Sequence, residues 1–204
     1  MRRMLIVFWT FIDPIYYFLT RLTYVNKERN NIFRVRKTNY LGYDVELSDG
    51  TRIQRNDLLI KIHLHNVRLL RNMKKIKNDF KKGTYIYRNI KYSLPELASY
   101  IYHHPDFDRI KGIIGITTLH RGCEKLGFEP KPLKNAFYKK LKWLALIPIS
   151  YISSDQISWH DLFIQEPKYL FMSKEKLIEL YLPEHKSRTS IVPQNALIHQ
   201  KVYE

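Results

Sequence analysis

The chain has 204 residues, of which 45% are hydrophobic, a length and an apolar content that suffice for one domain with a core and exclude low-complexity disorder. Its 35 Lys and Arg against 19 Asp and Glu give a formal net charge of +16, which favours anionic polymers or membrane surfaces as partners and leaves nucleic acid as a weaker alternative. A single cysteine, Cys123, excludes an internal disulfide and a zinc site built on several thiolates, so we expect a reducing compartment.

The first 25 residues form an apolar segment that begins with basic residues. Asp13 and Pro14 divide it into stretches shorter than the roughly 20 residues that span a bilayer, and no small-residue cleavage site follows. Two interpretations remain open: the segment packs on the domain, or it lies in a membrane surface with its aromatic side chains among the head groups. We therefore expect a cytoplasmic protein, with a peripheral position at the inner face of the membrane as the alternative.

Residues 26–185 are predicted to form a single α+β domain with a central, mostly antiparallel sheet of five or six strands. Alternation of apolar and polar residues at 31–40 predicts a strand, and residues 43–53 predict a hairpin around the turn Ser48-Asp49-Gly50. The polar, unpatterned residues 186–204 predict a mobile tail.

The stretch 56–82 predicts an apolar strand that leads into a basic amphipathic helix. Residues 58–64 form the strand, Asn66 is the predicted N-cap of the helix, and Gly83 is predicted to end it. Its apolar stripe consists of Leu69, Leu70, Met73, Ile76 and Phe80, and the remaining surface is basic. The candidates for an anionic-surface contact are Arg68, Arg71, Lys74, Lys75 and Lys77, and Lys81 and Lys82 extend the same basic side.

A second helix is predicted from a capping-box pattern. Ser93 is the expected N-cap, with Glu96 three residues later, and the helix runs to about His104. Residues 85–92 ahead of it are predicted to be a strand or an aromatic connection.

The C-terminal part is predicted to alternate short helices and strands. Its expected elements are a buried strand at 110–117, a short helix at 119–126 closed by Gly127, an edge strand at 128–133, a basic helix at 133–146, and a last helix that Ser173 caps and Pro183 ends.

His63 and His65 form the first candidate constellation. A period of two places both imidazoles on one strand face, about 7 Å apart. They could be structural histidines or line a binding or catalytic pocket. A metal site would need a third ligand, and none of the candidates lies at a diagnostic spacing, so we predict no metal. These third-ligand candidates are His103, His104, His120, Cys123 and Glu124.

The second constellation is the run TTLHRG at residues 117–122, where a buried strand should lead into a helix N-terminus. Backbone N–H groups there, with His120 and Arg121, could hold a phosphate or carboxylate, although one threonine could instead be only an N-cap. Cys123 near His120 leaves a thiol nucleophile as a further alternative.

If the two strands are neighbours, both constellations meet in one pocket for a small polar or anionic ligand. No cofactor, catalytic residue or oligomeric state follows from the sequence. The predicted lining is His63, His65, Asn66, His120 and Arg121.

Three segments together resemble the YkoP-like family of bacterial domains over residues 8–181. They are DPIYY followed two residues later by TRL, ELSDGTRIQRNDLLIKIHLHN, and ITTLHRGCEKLGFEPKPL. Because members of that family occur alone or attached to a polysaccharide deacetylase module, the resemblance implies a binding or accessory role in cell-envelope polysaccharide metabolism. The family-typical positions are Asp49, Gly50, Asp57, His63, His65, Asn66, His120, Arg121, Gly122, Gly127 and Phe128.

The order of elements from the second helix to Phe128 also looks like the C-terminal half of GNAT acyltransferases, in which the strand at 110–117 helps to bind acyl-coenzyme A. This likeness implies a GNAT-like topology and an acyltransferase or other transferase as the alternative function. The glycine-bearing pyrophosphate loop of that family is replaced here by residues 91–95, KYSLP.

Overall fold

The computed structural model describes residues 22–25, 31–73, 76, 78–118, 120, 122–140 and 166–182. The predictions for the N-terminal segment before Leu22, for the tail and for the second half of the helix at 133–146 lie outside these residues. The strands are β1 (Thr23–Tyr24), β2 (Phe33–Asn39), β3 (Val45–Glu46), β4 (Arg52–Ile53), β5 (Leu58–Leu64), β6 (Ile110–Thr117), β7 (Glu129–Pro132) and β8 (Lys168–Ser173). The α-helices with named bounds are α1 (Asn66–Met73), α2 (Asp79–Tyr102) and α3 (Lys174–Tyr181), and residues 136–140 are also helical.

Six strands form the main sheet, in the order β1-β2-β5-β6-β8-β7. Every neighbouring pair is antiparallel except β5 and β6, which run in parallel. The two helices between β5 and β6 supply the long crossover that a parallel connection needs. The predicted α+β class with a mostly antiparallel sheet is therefore confirmed.

The two faces of this sheet are covered by different elements. On one face α2 packs its apolar residues, among them Leu97 and Ile101, against Ile60 of β5 and other core side chains. Leu59, the preceding residue, points to the opposite face and packs with Phe171 beneath the β3–β4 hairpin. Burial of β5 on both faces explains why its first half is a continuous apolar run rather than an alternating one.

The predicted hairpin is confirmed, and its turn is tied to the rest of the domain. Gly50 has a φ of 82°, a left-handed conformation that glycine adopts without steric cost. Beside it, Asp49 accepts a hydrogen bond from Ser173 Oγ. Ser48 donates its backbone N–H, at 3.0 Å, and its hydroxyl, at 2.5 Å, to Glu129 of β7. The hairpin is thus held over the sheet by contacts to β7 and to the start of α3.

The prediction of one helix from 66 to 82 is wrong, because the chain forms two helices there. α1 ends at Met73, and Asn78 then adopts an extended conformation in which its side chain accepts a hydrogen bond from Lys81 N, 3.1 Å away. This N-cap starts α2, which continues through Gly83 to Tyr102. Gly83 is therefore an interior helical residue and not a terminator.

The new helix start also reverses the predicted burial of two side chains. Phe80, expected on the apolar stripe, is 84% exposed, whereas Lys82, expected on the basic side, is only 5% exposed. The apolar stripe does hold within α1, where Leu69 and Met73 are buried with Ile32.

The prediction of a helix N-terminus at Ser93 is wrong for a related reason. Ser93 lies inside α2, where its hydroxyl accepts a hydrogen bond from Ile32 N at 3.2 Å. Glu96 accepts a hydrogen bond from the Asn31 side chain at 2.9 Å. The two polar residues of the apparent capping box thus fasten the helix to the start of β2, and residues 85–92 are helical rather than a strand.

The buried strand, the edge strand and the last helix of the C-terminal part are confirmed, the helix at 119–126 is wrong, and β8 was not predicted. β6 is a central strand, β7 is an edge strand that carries two prolines, and Ser173 caps α3 by accepting from Lys176 N at 3.1 Å. The helix predicted at 119–126 is a 3₁₀ turn, Cys123–Leu126, bounded by Gly122 and Gly127 with φ of 78° and 87°. A right-handed helix cannot continue through the left-handed Gly122, so it starts late. Across the described ranges, no helix has the length and apolar content needed to cross a membrane.

Candidate functional site

β5 and β6 are neighbouring central strands, and their carboxyl ends lie side by side. The two strands are paired in parallel from Leu58–Ile110 to Lys61–Ile114, with a bulge after Leu58. A shared pocket requires these strands to be neighbours, and they are. In open sheets, ligands bind where the carboxyl ends of parallel strands leave a crevice.

The pairing between β5 and β6 ends before either strand ends. The last paired residues are Lys61 and Ile114, yet β5 continues to Leu64 and β6 to Thr117. Ile62 packs closely over Gly115, where an added Cβ would lie 3.3 Å from Ile62 Cγ1. Beyond this contact β5 and β6 are no longer paired with each other, although β5 stays paired with β2 to Leu64 and β6 stays paired with β8 to Thr117.

His63 and His65 mark the end of β5. His63 is the last strand residue but one, is half-buried and lies opposite Arg34 of β2. His65 follows the strand, is also half-buried, and donates its backbone N–H to Ile32 O at 2.8 Å. Asn66 comes next as the first residue of α1. The end of β5 therefore carries two histidines and an asparagine in close succession, and Nε2 of His63 is buried.

His120 lies just after the end of β6. Its Nδ1 is 3.1 Å from Thr118 O, and because a carbonyl oxygen only accepts, Nδ1 donates this hydrogen bond. Arg121, the other predicted residue here, lies outside the described residues.

The predicted α-helix N-terminus beside Thr118 is absent from this described stretch. The chain enters a four-residue 3₁₀ turn at Cys123, after the left-handed Gly122. Anion binding here would depend on side chains and not on a helix dipole. The structure thus brings His63, His65, Asn66 and His120 to one sheet edge, and their convergence on one ligand stays a prediction.

A row of cations beside His63 was missed by the sequence analysis. Arg34 is opposite His63 and Arg36 is opposite Lys61 in the β2–β5 register, so all four side chains share one sheet face. Arg34 is only 4% exposed. The alternation of Arg34 and Arg36 in the sequence indicates that both side chains lie on one face of β2. Their position beside His63 and Lys61 follows only from the β2–β5 register. These side chains make the surroundings of His63 electropositive.

The residues proposed for an anionic surface divide between described and undescribed positions. Arg68 is half-buried and Arg71 is exposed on α1, whereas Lys74, Lys75 and Lys77 lie outside the described residues. Only the first two can therefore be placed, and the basic-surface prediction is otherwise untested.

Cys123 does not have the properties of a nucleophile. Burial, with a smaller contribution from the charge of Glu124, raises the pKa of its thiol to about 11. At neutral pH the side chain is the unreactive thiol rather than the thiolate. Among the residues that can be placed, no group of three or more His, Cys, Asp or Glu side chains is arranged to hold a metal ion.

Comparison with known proteins gives one family and one relative. A family model described as the YkoP domain matches residues 2–181. The chain is 44% identical over 173 residues to a protein of Bacillus subtilis (strain 168) whose name is "Uncharacterized protein YkoP", and the match covers 85% of this chain and 93% of that protein. No solved structure matches the chain.

Proposed function

The chain belongs to the YkoP domain family, and from this premise we propose that it is a binding module for an anionic or polyhydroxylated polymer of the bacterial cell envelope. The observation that carries the proposal is the early end of the β5–β6 register after Lys61 and Ile114, which leaves the polar ends of two parallel strands side by side. The link to envelope polysaccharide rests on the family resemblance described above.

The chemistry of these strand ends suits such a polymer. His63 and His65 on one side and His120 on the other offer imidazole donors and acceptors to hydroxyl groups. The row Arg34, Arg36 and Lys61 offers positive charge to phosphate or carboxylate groups. A repeating polymer that carries both hydroxyl and anionic groups would use both sets of side chains at once.

The basic side of the chain between Arg68 and Lys77 supports a second, less specific contact. Lysine and arginine near an anionic bilayer or polymer each contribute about 1 kcal/mol, and the contribution falls with added salt. Such a contact would hold the protein near the inner face of the membrane while the strand ends bind their ligand.

A second candidate function is acyl transfer with a pocket around His63, His65, His120 and Arg121. The position of β6 in the chain favours it, because the corresponding strand in GNAT enzymes helps to bind acyl-coenzyme A. The parallel pairing of β5 with β6 places the carboxyl ends of both strands next to each other. Residues 91–95, however, lie in the interior of α2. The helix N-terminus that would hold the coenzyme pyrophosphate is therefore missing at Leu94, and we rank this function second.

Titration with four ligands separates these functions. The ligands are a teichoic-type polymer, vesicles of anionic lipid, coenzyme A and single-stranded DNA, each measured at low and at moderate salt. The proposal predicts saturable binding of the polymer that survives moderate salt, because hydrogen bonds and buried charges are screened less than surface charges. Saturable binding of coenzyme A would select acyl transfer. Binding of DNA and polymer that is equally weak and vanishes with salt would contradict both.

A further inference from the structure

A cavity of about 660 Å³ lies along the C-terminal half of α2, next to Val25 at the end of β1. Its volume is within the range of small-molecule sites. It shares no residue with the proposed site at the ends of β5 and β6. Its lining includes the polar side chains Glu96, Ser99, Tyr100, His103 and His104.

Glu96 supplies the negative charge of this cavity. Its Oε2 accepts a hydrogen bond from the neutral Asn31 amide at 2.9 Å. Within the described ranges no lysine or arginine lies at ion-pair distance from this carboxylate. The carboxylate is thus positioned by a neutral amide.

The end of α2 adds to the negative potential. The last turn of this 24-residue helix contains no basic residue, and the carbonyl groups at a helix C-terminus carry a partial negative charge of about half an electron. The nearby cation Lys37 is engaged by Asp106, with an N–O distance of 2.7 Å. A cationic ligand would therefore meet a carboxylate and the negative end of a helix without displacing an internal ion pair.

Two histidines line the same cavity. His103 Nδ1 is 2.9 Å from Ser99 O and donates to this carbonyl. His104 Nδ1 accepts the backbone N–H of Asp106 at 3.0 Å, which places the proton of its neutral ring on Nε2 as a donor. Imidazole groups that line a cavity can hydrogen-bond to the hydroxyl groups of a polyol or sugar.

We propose that this cavity binds a small ligand that carries a protonated amine beside hydroxyl groups, as an amino sugar does. Glu96 and the end of α2 bind the ammonium group, and His103, His104 and the Tyr100 hydroxyl bind the hydroxyl groups. The charge preference is opposite to that of the site at the strand ends, so the two sites take different ligands and neither proposal depends on the other.

The test is a titration of the full chain, labelled with ¹⁵N, with glucosamine and with N-acetylglucosamine near pH 7. N-Acetylglucosamine keeps the ring and its hydroxyl groups but lacks the ammonium group. We expect saturable shifts of the amide signals of Val25 and of residues 96–104 with glucosamine, and none with the acetylated sugar.

The variant Glu96→Gln keeps an acceptor for Asn31 and removes only the charge, so it should fold and bind glucosamine at least tenfold more weakly. Glu175→Gln, an exposed change on α3, is the matched control and should bind like the parent chain. Unchanged affinity in Glu96→Gln would overturn the proposal. So would the absence of saturable shifts up to about 50 mM glucosamine, a range that reveals even a millimolar Kd.

Discussion

Two carboxylates at the turn of the hairpin, Asp49 and Glu129 of β7, show how single side chains hold this fold. Burial of Glu129 favours its protonated form, but hydrogen bonds from Ser48 and the charge of Lys176, 3.4 Å away, outweigh burial and lower its pKa. Asp49 behaves in the same way, because hydrogen bonds from Ser173 and Thr51 outweigh its burial and lower its pKa. Both groups are therefore bound in their ionised forms.

The first prediction concerns the pH dependence of stability. Because the pKa of Glu129 is lower in the folded than in the unfolded state, its carboxylate stabilises the fold above the unfolded pKa of about 4.3, and this contribution is lost as the pH falls through the folded pKa. Glu129→Gln should therefore lower the free energy of unfolding by about 1 kcal/mol at neutral pH and by progressively less below about pH 4. Urea unfolding at several pH values measures this difference.

The control is Glu175→Gln, whose exposed carboxylate lies 3.9 Å from Lys174. It should change the unfolding free energy by less than about 0.5 kcal/mol. A loss in Glu129→Gln that is the same at every pH would show that the side chain acts by shape and not by charge.

At the scale of elements, most strands were predicted from sequence, but β8 was missed and the helix boundaries were wrong. Alternation and turn residues indicate strands and the hairpin locally, so β2, β3, β4 and β5 are where they were expected. The helix start depends on a choice between Asn78 and Ser93, two residues that can both cap. Ser93 is used instead to bind Ile32, 61 residues away, and no local pattern shows that contact.

The break between α1 and α2 determines which side chains of α2 are buried, and so which substitutions destabilise the fold. Phe80 is 84% exposed, so Phe80→Ser should change the free energy of unfolding by no more than about 0.5 kcal/mol. Leu97, in the same helix, is fully buried, and Leu97→Ala should cost about 2–5 kcal/mol. Denaturant unfolding of both variants is the measurement. A cost of several kcal/mol for Phe80→Ser would restore the single helix expected from the apolar stripe.

Some features of the two sites can be predicted from local sequence patterns, and others depend on contacts between distant residues. The period of two that puts His63 and His65 on one face is visible in the sequence, and so is the proximity of His120 to a strand end. The row of Arg34 and Arg36 beside β5 depends on a register between strands, and the cavity beside α2 depends on Asn31, which is 65 residues from Glu96. Such contacts are set by the packed fold rather than by spacing along the chain.

At the scale of the whole molecule, the net charge of +16 raises the question of whether binding depends on a patch or on total charge. We expect reversal of Lys74, Lys75 and Lys77 to glutamate to weaken binding to anionic vesicles at low salt without unfolding the domain, because these residues continue the basic side of α1 in sequence. Vesicle co-sedimentation measures this change.

The matched control reverses Lys111, Lys125 and Lys140, three exposed lysines elsewhere, and changes the net charge by the same amount. It should retain more vesicle binding than the first variant. Equal loss in both variants would mean that total charge, and not a local surface, attracts the vesicles.

The most direct test of the central claim, a ligand site shared by the ends of β5 and β6, is calorimetric titration of a teichoic-type polymer into the variant His65→Ala/His120→Ala. The claim predicts at least tenfold weaker binding with a melting temperature close to that of the parent, whereas Tyr92→Ala, at an exposed position of α2, should leave both quantities unchanged. Retained polymer binding in the double variant would contradict a shared site, and a large fall in its melting temperature would show that the two histidines are structural.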